Sequence, residues 1–284
     1  MSGKERSLII TGDDFGFSGG VNRAIIEAHE AGVLTNASLM VAGEAFEGAV
    51  SLARQHPRLA VGLHLVLSDL RAALPARRIP HLVDGRGKFS SNLFTAGFRY
   101  QCHPAAAREL RAEIRAQLEK FRRTGLRLSH VDGHQQMHMT PIVLRELVRL
   151  AGEFGIRAIR IPSEEFRLAL RVDRSGFWEK GSLSVAFGML RSYAANRLKP
   201  AGICFPNRVY GLLQSGRMTE DYLLKLIPQI RSDRVEIYVH PTTDDRDADP
   251  KGASRSQLDA LLSGRVRQAL DSAGFRLSTY AELN

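Results

Sequence analysis

Two adjacent carboxylates, Asp13 and Asp14, close a short β-branched run near the start of the chain, SLIITGDD. Histidines recur in the same kind of place further along: His64 in LAVGLHL, His130 and His134 around Asp132 in LSHVDGH, and His240 in VEIYVHP. Each has a plain structural reading when taken alone. A DD pair can be a turn or a helix cap, His64 a satisfied core histidine, and His240 merely the close of a strand before Pro241. Together they carry more, because every one falls at the end of an apolar run, and ionisable groups are expensive to bury without purpose. Two imidazoles and one carboxylate make a three-ligand site for a divalent cation, with positions left for water and substrate. Asp14, His64 and His134 are that assignment. Alternation along LSHVDGH puts His130, Asp132 and His134 on one face, so Asp132 and His130 can support a ligand from behind. His138 joins them only if the segment turns helical after His134.

Such side chains need a scaffold that brings strand ends together. Apolar runs recur at 7–10, 37–41, 59–65, 128–134, 158–162, 202–206, 235–241 and 275–280, and they read as buried parallel strands. Between them, VNRAIIEAHEAGV, AAARELRAEIRAQLEKF and PIVLRELVRLAGEFG repeat apolar residues every three or four positions, as covering helices do. About eight alternations predict an α/β fold: a single TIM-barrel-like (β/α) barrel over residues 1–284, regular or irregular. Polar residues at the strand C-termini would then share one face. Long insertions are expected near 66–103 and 163–200, and their large apolar residues favour ordered lids over disordered excursions.

The chain of 284 residues has a formal net charge of +10, and residues 71–127 hold 13 Lys or Arg against 4 acidic residues. This patch allows peripheral contact with an anionic membrane surface. No aromatic-and-basic or helix-turn-helix signature accompanies it, so no nucleic acid is expected. Cys102 and Cys204 lie in no disulfide or zinc-ribbon spacing. The N-terminal apolar run is too short for a signal-peptide core, and no run approaches a bilayer span. A soluble cytoplasmic protein is expected, with the inner membrane face as a peripheral station; the oligomeric state is left open.

The segments TGDDFGFSGGVNRAIIEAHEAGVLTNASLMVAG, VGLHL, HVDGHQQMH and IYVHP, in that order, resemble the YdjC-like carbohydrate deacetylase family over nearly the whole chain. The resemblance implies hydrolysis of an N-acetyl group on a sugar. It implies one divalent metal ion on Asp14, His64 and His134, and Asp13 as catalytic base. Ligand type suits Zn²⁺, whereas the family also implies Mg²⁺. Many members carry histidines directly after the metal-binding His, where this chain has Gln135 and Gln136, a departure that bears on substrate contacts. An amide needs its leaving nitrogen protonated, and His240 is the candidate acid. Arg160, in AIRIP, is a candidate to hold Asp13 ionised or to touch substrate, with a structural ion pair as the other reading.

VGLHLVLSD followed by LPARRIPHLVDGRGKF, and RELRAEIRAQLEKFRRTGLRLSHVDGH, look like the branch associated with hopanoid biosynthesis. The substrate implied is an N-acetylglucosaminyl hopanoid, a glycolipid; a chitooligosaccharide or other N-acetylated sugar is the alternative. Two further classes compete. A metal phosphoesterase would need a phosphate clamp that is not evident beside the motifs. A non-catalytic carbohydrate-binding barrel should have lost a ligand or the base.

Overall fold

The β-branched runs do form strands, and they pair in parallel. The computed structural model describes residues 6–244, 246 and 252–283. The central strand β1 (Arg6–Phe15) is buried on both faces from Leu8 onward, as a parallel strand between two layers must be. Around it the sheet runs β4 (Val131–Gly133), β3 (Ala60–Leu65), β2 (Asn36–Leu39), β1, β6 (Arg234–Val239), β5 (Arg208–Tyr210). A short β7 (Phe275–Leu277) pairs with Arg6–Leu8, ahead of the point where β2 joins at Thr11.

Helices cover the outer face. Ser18 caps α1 (Gly19–Glu30) by accepting from the Val21 N–H, and α2 (Phe46–Gln55) follows β2. The long α4 (Pro104–Arg123) packs on α5 (Pro141–Phe154), which ends on Gly155 in the left-handed conformation that glycine permits. The later crossovers carry α8 (Glu220–Leu226), α9 (Arg255–Leu262) and α10 (Gly264–Ser272). Leu8 and Ile10 point into this helical layer and join the main core. Gly12 continues the same face, where a Cβ would meet Ile25 and Leu34 at 2.9 Å.

The inner face of β1 is layered along the strand. Ile9 packs with Ala158, Tyr280 and Leu283 in a small apolar plug at the N-terminal end. Above it Thr11 donates to Glu236 at 2.6 Å, and above that Asp13 meets Arg160. The strands therefore curve around a shared interior and converge on one polar end.

The α/β parallel architecture expected from the sequence is present, but a complete TIM barrel of eight regular strands is not shown. The sheet path ends at β4 and β5. Segments 158–162 and 202–206, predicted as strands, contribute only the single bridges Val131↔Ile159 and Ala158↔Cys204. Pro162 and Pro206 explain the brevity, since proline has no N–H to continue a ladder. The result is a curved, half-barrel parallel sheet.

The first predicted insertion is mostly turns and loops with one longer helix, and the second is built largely of helix. The first carries α3 (Leu93–Cys102). The second carries α6 (Phe166–Val172) and α7 (Phe177–Leu198). Among the described residues no helix is long and apolar enough to cross a membrane.

Candidate active site

In a regular strand Asp13 and Asp14 would point to opposite faces. They do not, because the β1–β2 register breaks between Gly12 and Phe15, and Asp14 sits at φ 64°. This bulge turns the second carboxylate inward beside the first, a known use of bulges next to functional sites. Among the described residues, Asp69, Gln135 and Gln136 are the other non-glycine positions with positive φ. All four crowd one region: Gln135 donates to Asp69 at 3.2 Å, and Gln135 and Gln136 follow His134 directly. Backbone held in this region is strained, and such strain gathers at functional sites.

Asp14 Oδ1 lies 3.3 Å from His64 Nε2 and 3.4 Å from His134 Nδ1. One potential ligand atom from each of the three residues falls within 4.8 Å of the other two, and all three residues are buried. The donor set fits a divalent cation: one carboxylate, two imidazoles, and a buried Asp14 Oδ1 with no hydrogen-bond partner. The Asp132 carboxylate accepts from His64 Nδ1 at 2.8 Å, which leaves Nε2 as the nitrogen turned towards Asp14. That is the usual support for a metal-binding histidine. Burial alone would lower the His64 imidazole, but Asp132 and the neighbouring carboxylates outweigh it and hold it up to about 10. Burial likewise works against charge on Asp14, yet the two imidazoles keep it well below the ordinary carboxylate value.

Arg160, fully buried, ties the group together. It donates to both oxygens of Asp13, at 2.7 and 2.9 Å, and to Glu236 at 2.8 Å, and it contacts Asp132 at 2.7 Å. Its guanidinium lies 4.5 Å from the centre of the Tyr238 ring. Glu236, absent from the sequence-derived set, also accepts from Thr11 and Tyr280. The structural ion pair and the contact with Asp13 thus coexist in one side chain.

The remaining candidates are placed as follows. His130 stacks on Tyr280 at 4.1 Å, and a Cβ at Gly62 would collide with its ring. It reaches Asp132 through Ser38, whose hydroxyl lies 3.1 Å from His130 Nε2 and donates to Asp132 at 2.7 Å. His138 lies in the 3-10 turn His134–Met139 and bonds the Arg160 carbonyl at 2.9 Å. Burial drives it down to about 4, so it is a neutral donor behind the site. His240 sits at the end of β6, partly exposed, with Nε2 4.0 Å from Asp13 Oδ2.

Asp13, His64, His134 and His240 open onto one cleft of about 270 Å³. One wall is apolar and comes from the insertions and the loop after β5, with Leu93, Leu183, Phe187 and Leu212, while Gln135, Gln136 and Ser215 add polar lining. Sequence patterns alone do not pair α3 with α7 across a cleft.

The family model described as YdjC-like protein matches residues 7–272. The chain belongs to the YdjC-like family. A carbohydrate deacetylase of Brevibacillus brevis is 43% identical over 55% of this chain, an alignment spanning 59% of that protein's own length. A chitooligosaccharide deacetylase of Escherichia fergusonii is 30% identical, with 98% of this chain and 100% of that protein covered. A crystal structure provisionally described as a cellobiose-phosphate cleavage protein of Enterococcus faecalis V583 superposes with TM-score 0.73 at 24% identity, covering 98% and 99% of the two chains. At that identity it speaks for the fold of this YdjC-like chain. The named relatives speak for the kind of substrate to test.

Proposed function

We propose that this YdjC-like protein is a divalent-metal-dependent N-deacetylase of an N-acetylated sugar. The observation that carries the reading is the clustering of Asp14, His64 and His134 within 4.8 Å, on the cleft that Asp13 also faces. Asp14, His64 and His134 would hold the ion, which when bound acidifies water and polarises a carbonyl. Asp13, its two oxygens fixed by the Arg160 fork, takes the proton from water as its oxygen attacks the acetamide carbon. His240 faces the same space and delivers a proton to the sugar nitrogen as the C–N bond breaks. Acetate and a free amino sugar leave.

For the substrate we propose an N-acetylglucosaminyl hopanoid. Resemblance to the hopanoid-associated branch supports it, and so does the apolar wall of Leu93, Leu183, Phe187 and Leu212, which suits a greasy aglycone better than a second sugar. The name of the Escherichia relative supports the alternative, a chitooligosaccharide. Acetate release by metal-reconstituted protein from both substrates separates them. Asp13→Asn should lower kcat by about 10²–10⁴-fold with the protein folded, the range of general-base catalysis. His134→Ala should lower metal affinity as well as rate. A folded, metal-loaded protein that releases acetate from neither substrate would overturn the deacetylase reading.

A further inference from the structure

Apolar side chains scattered singly over a surface need no explanation, whereas a contiguous set does. Among the described residues, exposed large apolar side chains stand on two helices only. Phe94 and Phe98 project from α3, and Phe177, Trp178, Val185 and Met189 from α7, with Phe94 and Trp178 each 84% exposed. The seventh, Leu93, opens α3 and lines the catalytic cleft, as do Leu183 and Phe187 of α7. The exposed side chains therefore continue the apolar wall of the cleft outward.

The spacing on α7 is informative. Leu183, Phe187, Leu190, Ala194 and Leu198 recur every three or four residues and are buried or partly buried. Trp178, Val185 and Met189, seven and four apart, form a second stripe that faces water. One stripe suffices to pack a helix on its core. The second calls for an occupant.

Charge identifies it. Residues 93–103 contain Arg99 and no acid, and residues 166–200 hold 7 basic against 2 acidic residues. One of those acids, Asp173, is already bound by Lys180 at 2.9 Å, while Arg167, Arg171 and Arg174 are exposed. A second copy docked through this face would set like charge against like. An anionic lipid surface complements both features, with aromatic side chains at headgroup depth and arginines on phosphates.

We propose that the outer faces of α3 and α7 dock this protein on an anionic bilayer and bring the mouth of the catalytic cleft to the headgroups. The inference deepens the glycolipid reading and rests on it for the supply of substrate, not for the docking itself. A sugar anchored in the bilayer could then enter the cleft along the apolar wall without its lipid crossing water.

Trp178 is the sole tryptophan, so its emission reports directly on this face. The full chain is titrated with vesicles of phosphatidylcholine alone and of phosphatidylcholine with phosphatidylglycerol, with co-sedimentation in parallel. The expected result is a blue shift and pelleting with the anionic vesicles, reversed by raised salt. Phe94→Ser with Phe98→Ser should weaken binding at least about tenfold. Met189→Ser, on the other helix, should weaken it too, and both variants should keep the parent's melting temperature and its turnover of a water-soluble N-acetyl sugar. Unmoved Trp178 emission and a soluble protein in the presence of anionic vesicles would overturn the proposal. So would a blue shift that grows with protein concentration in the absence of lipid, which would make a second copy the occupant. A parent protein that turns over the soluble sugar but does not bind anionic vesicles sinks the docking alone, and a parent that binds them without turnover sinks the deacetylase alone.

Discussion

Asp132 accepts from His64 Nδ1 and from Ser38 and forms an ion pair with Arg160, and it neither lines the cleft nor contacts Asp14. It is a positioning residue: it fixes which imidazole nitrogen faces Asp14 and which way the ring lies. Asp132→Asn keeps the shape and removes the charge. The expected outcome is a metal affinity about 10–100-fold weaker, read by competition with a chromogenic chelator, in a protein whose far-ultraviolet spectrum is unchanged. An unaltered affinity would remove Asp132 from that role. This much of the site is legible in the sequence, because Asp14, His64, Asp132 and His134 each fall at the end of an apolar run, although the bulge that turns Asp14 inward is not. Glu236 is not, since one acid within VEIYV looks like the outward residue of an alternating strand. Its signal lies in context: in a parallel strand buried on both faces, an acid must meet a buried cation, and Arg160 in AIRIP is that partner.

At the scale of elements, the second insertion is tethered to the sheet by Glu164, whose Oε2 accepts from the N–H groups of Gly211 and Leu213 just beyond β5. Its Oε1 is buried without a hydrogen-bond partner, and burial pushes the carboxyl up to about 7. As pH rises from the ordinary carboxylate value towards 7, the unfolded chain has already released a proton that the folded chain keeps. Stability from this group therefore falls across that window and is level above it, a loss on the order of 3 kcal/mol. Glu164→Gln keeps the acceptor and removes the titration. It should melt above the parent near pH 8, with the gap closing as the pH falls towards about 5; a gap independent of pH would place the cost elsewhere. Elements were legible where periodicity was unbroken, as in β1, β3, β6, α4 and α5. Segments 158–162 and 202–206 carry strand-like residues, but Pro162 and Pro206 cut their ladders to single bridges, so the alternation that suggests regular strands leaves only isolated pairings there. The insertions were legible as long, apolar and non-repetitive. Their pairing across the cleft was not, because it depends on contacts far apart in sequence.

Over the whole molecule the surplus of positive charge lies outside and the surplus of negative charge inside. Asp13, Asp14, Asp132 and Glu236 are all buried, with Arg160 set among them as the permanent cation. Buried like charges repel strongly, and their desolvation is repaid only by well-placed partners. A divalent cation on Asp14, His64 and His134 would relieve this imbalance in the folded state, so occupancy should stabilise the whole fold as well as the reaction. With free metal at a thousandfold over Kd the linkage is about 4 kcal/mol, which for a chain of this length corresponds to a rise in Tm on the order of 5–10 °C. Adding a strong chelator should lower the melting temperature by that amount, and restoring Zn²⁺ or Mg²⁺ should recover it for the ion the site prefers. His134→Ala should melt at one temperature whether metal is present or not. If the parent protein shows the same indifference, the three residues do not form a cation site, and the buried carboxylates must be balanced by protons on the neighbouring imidazoles.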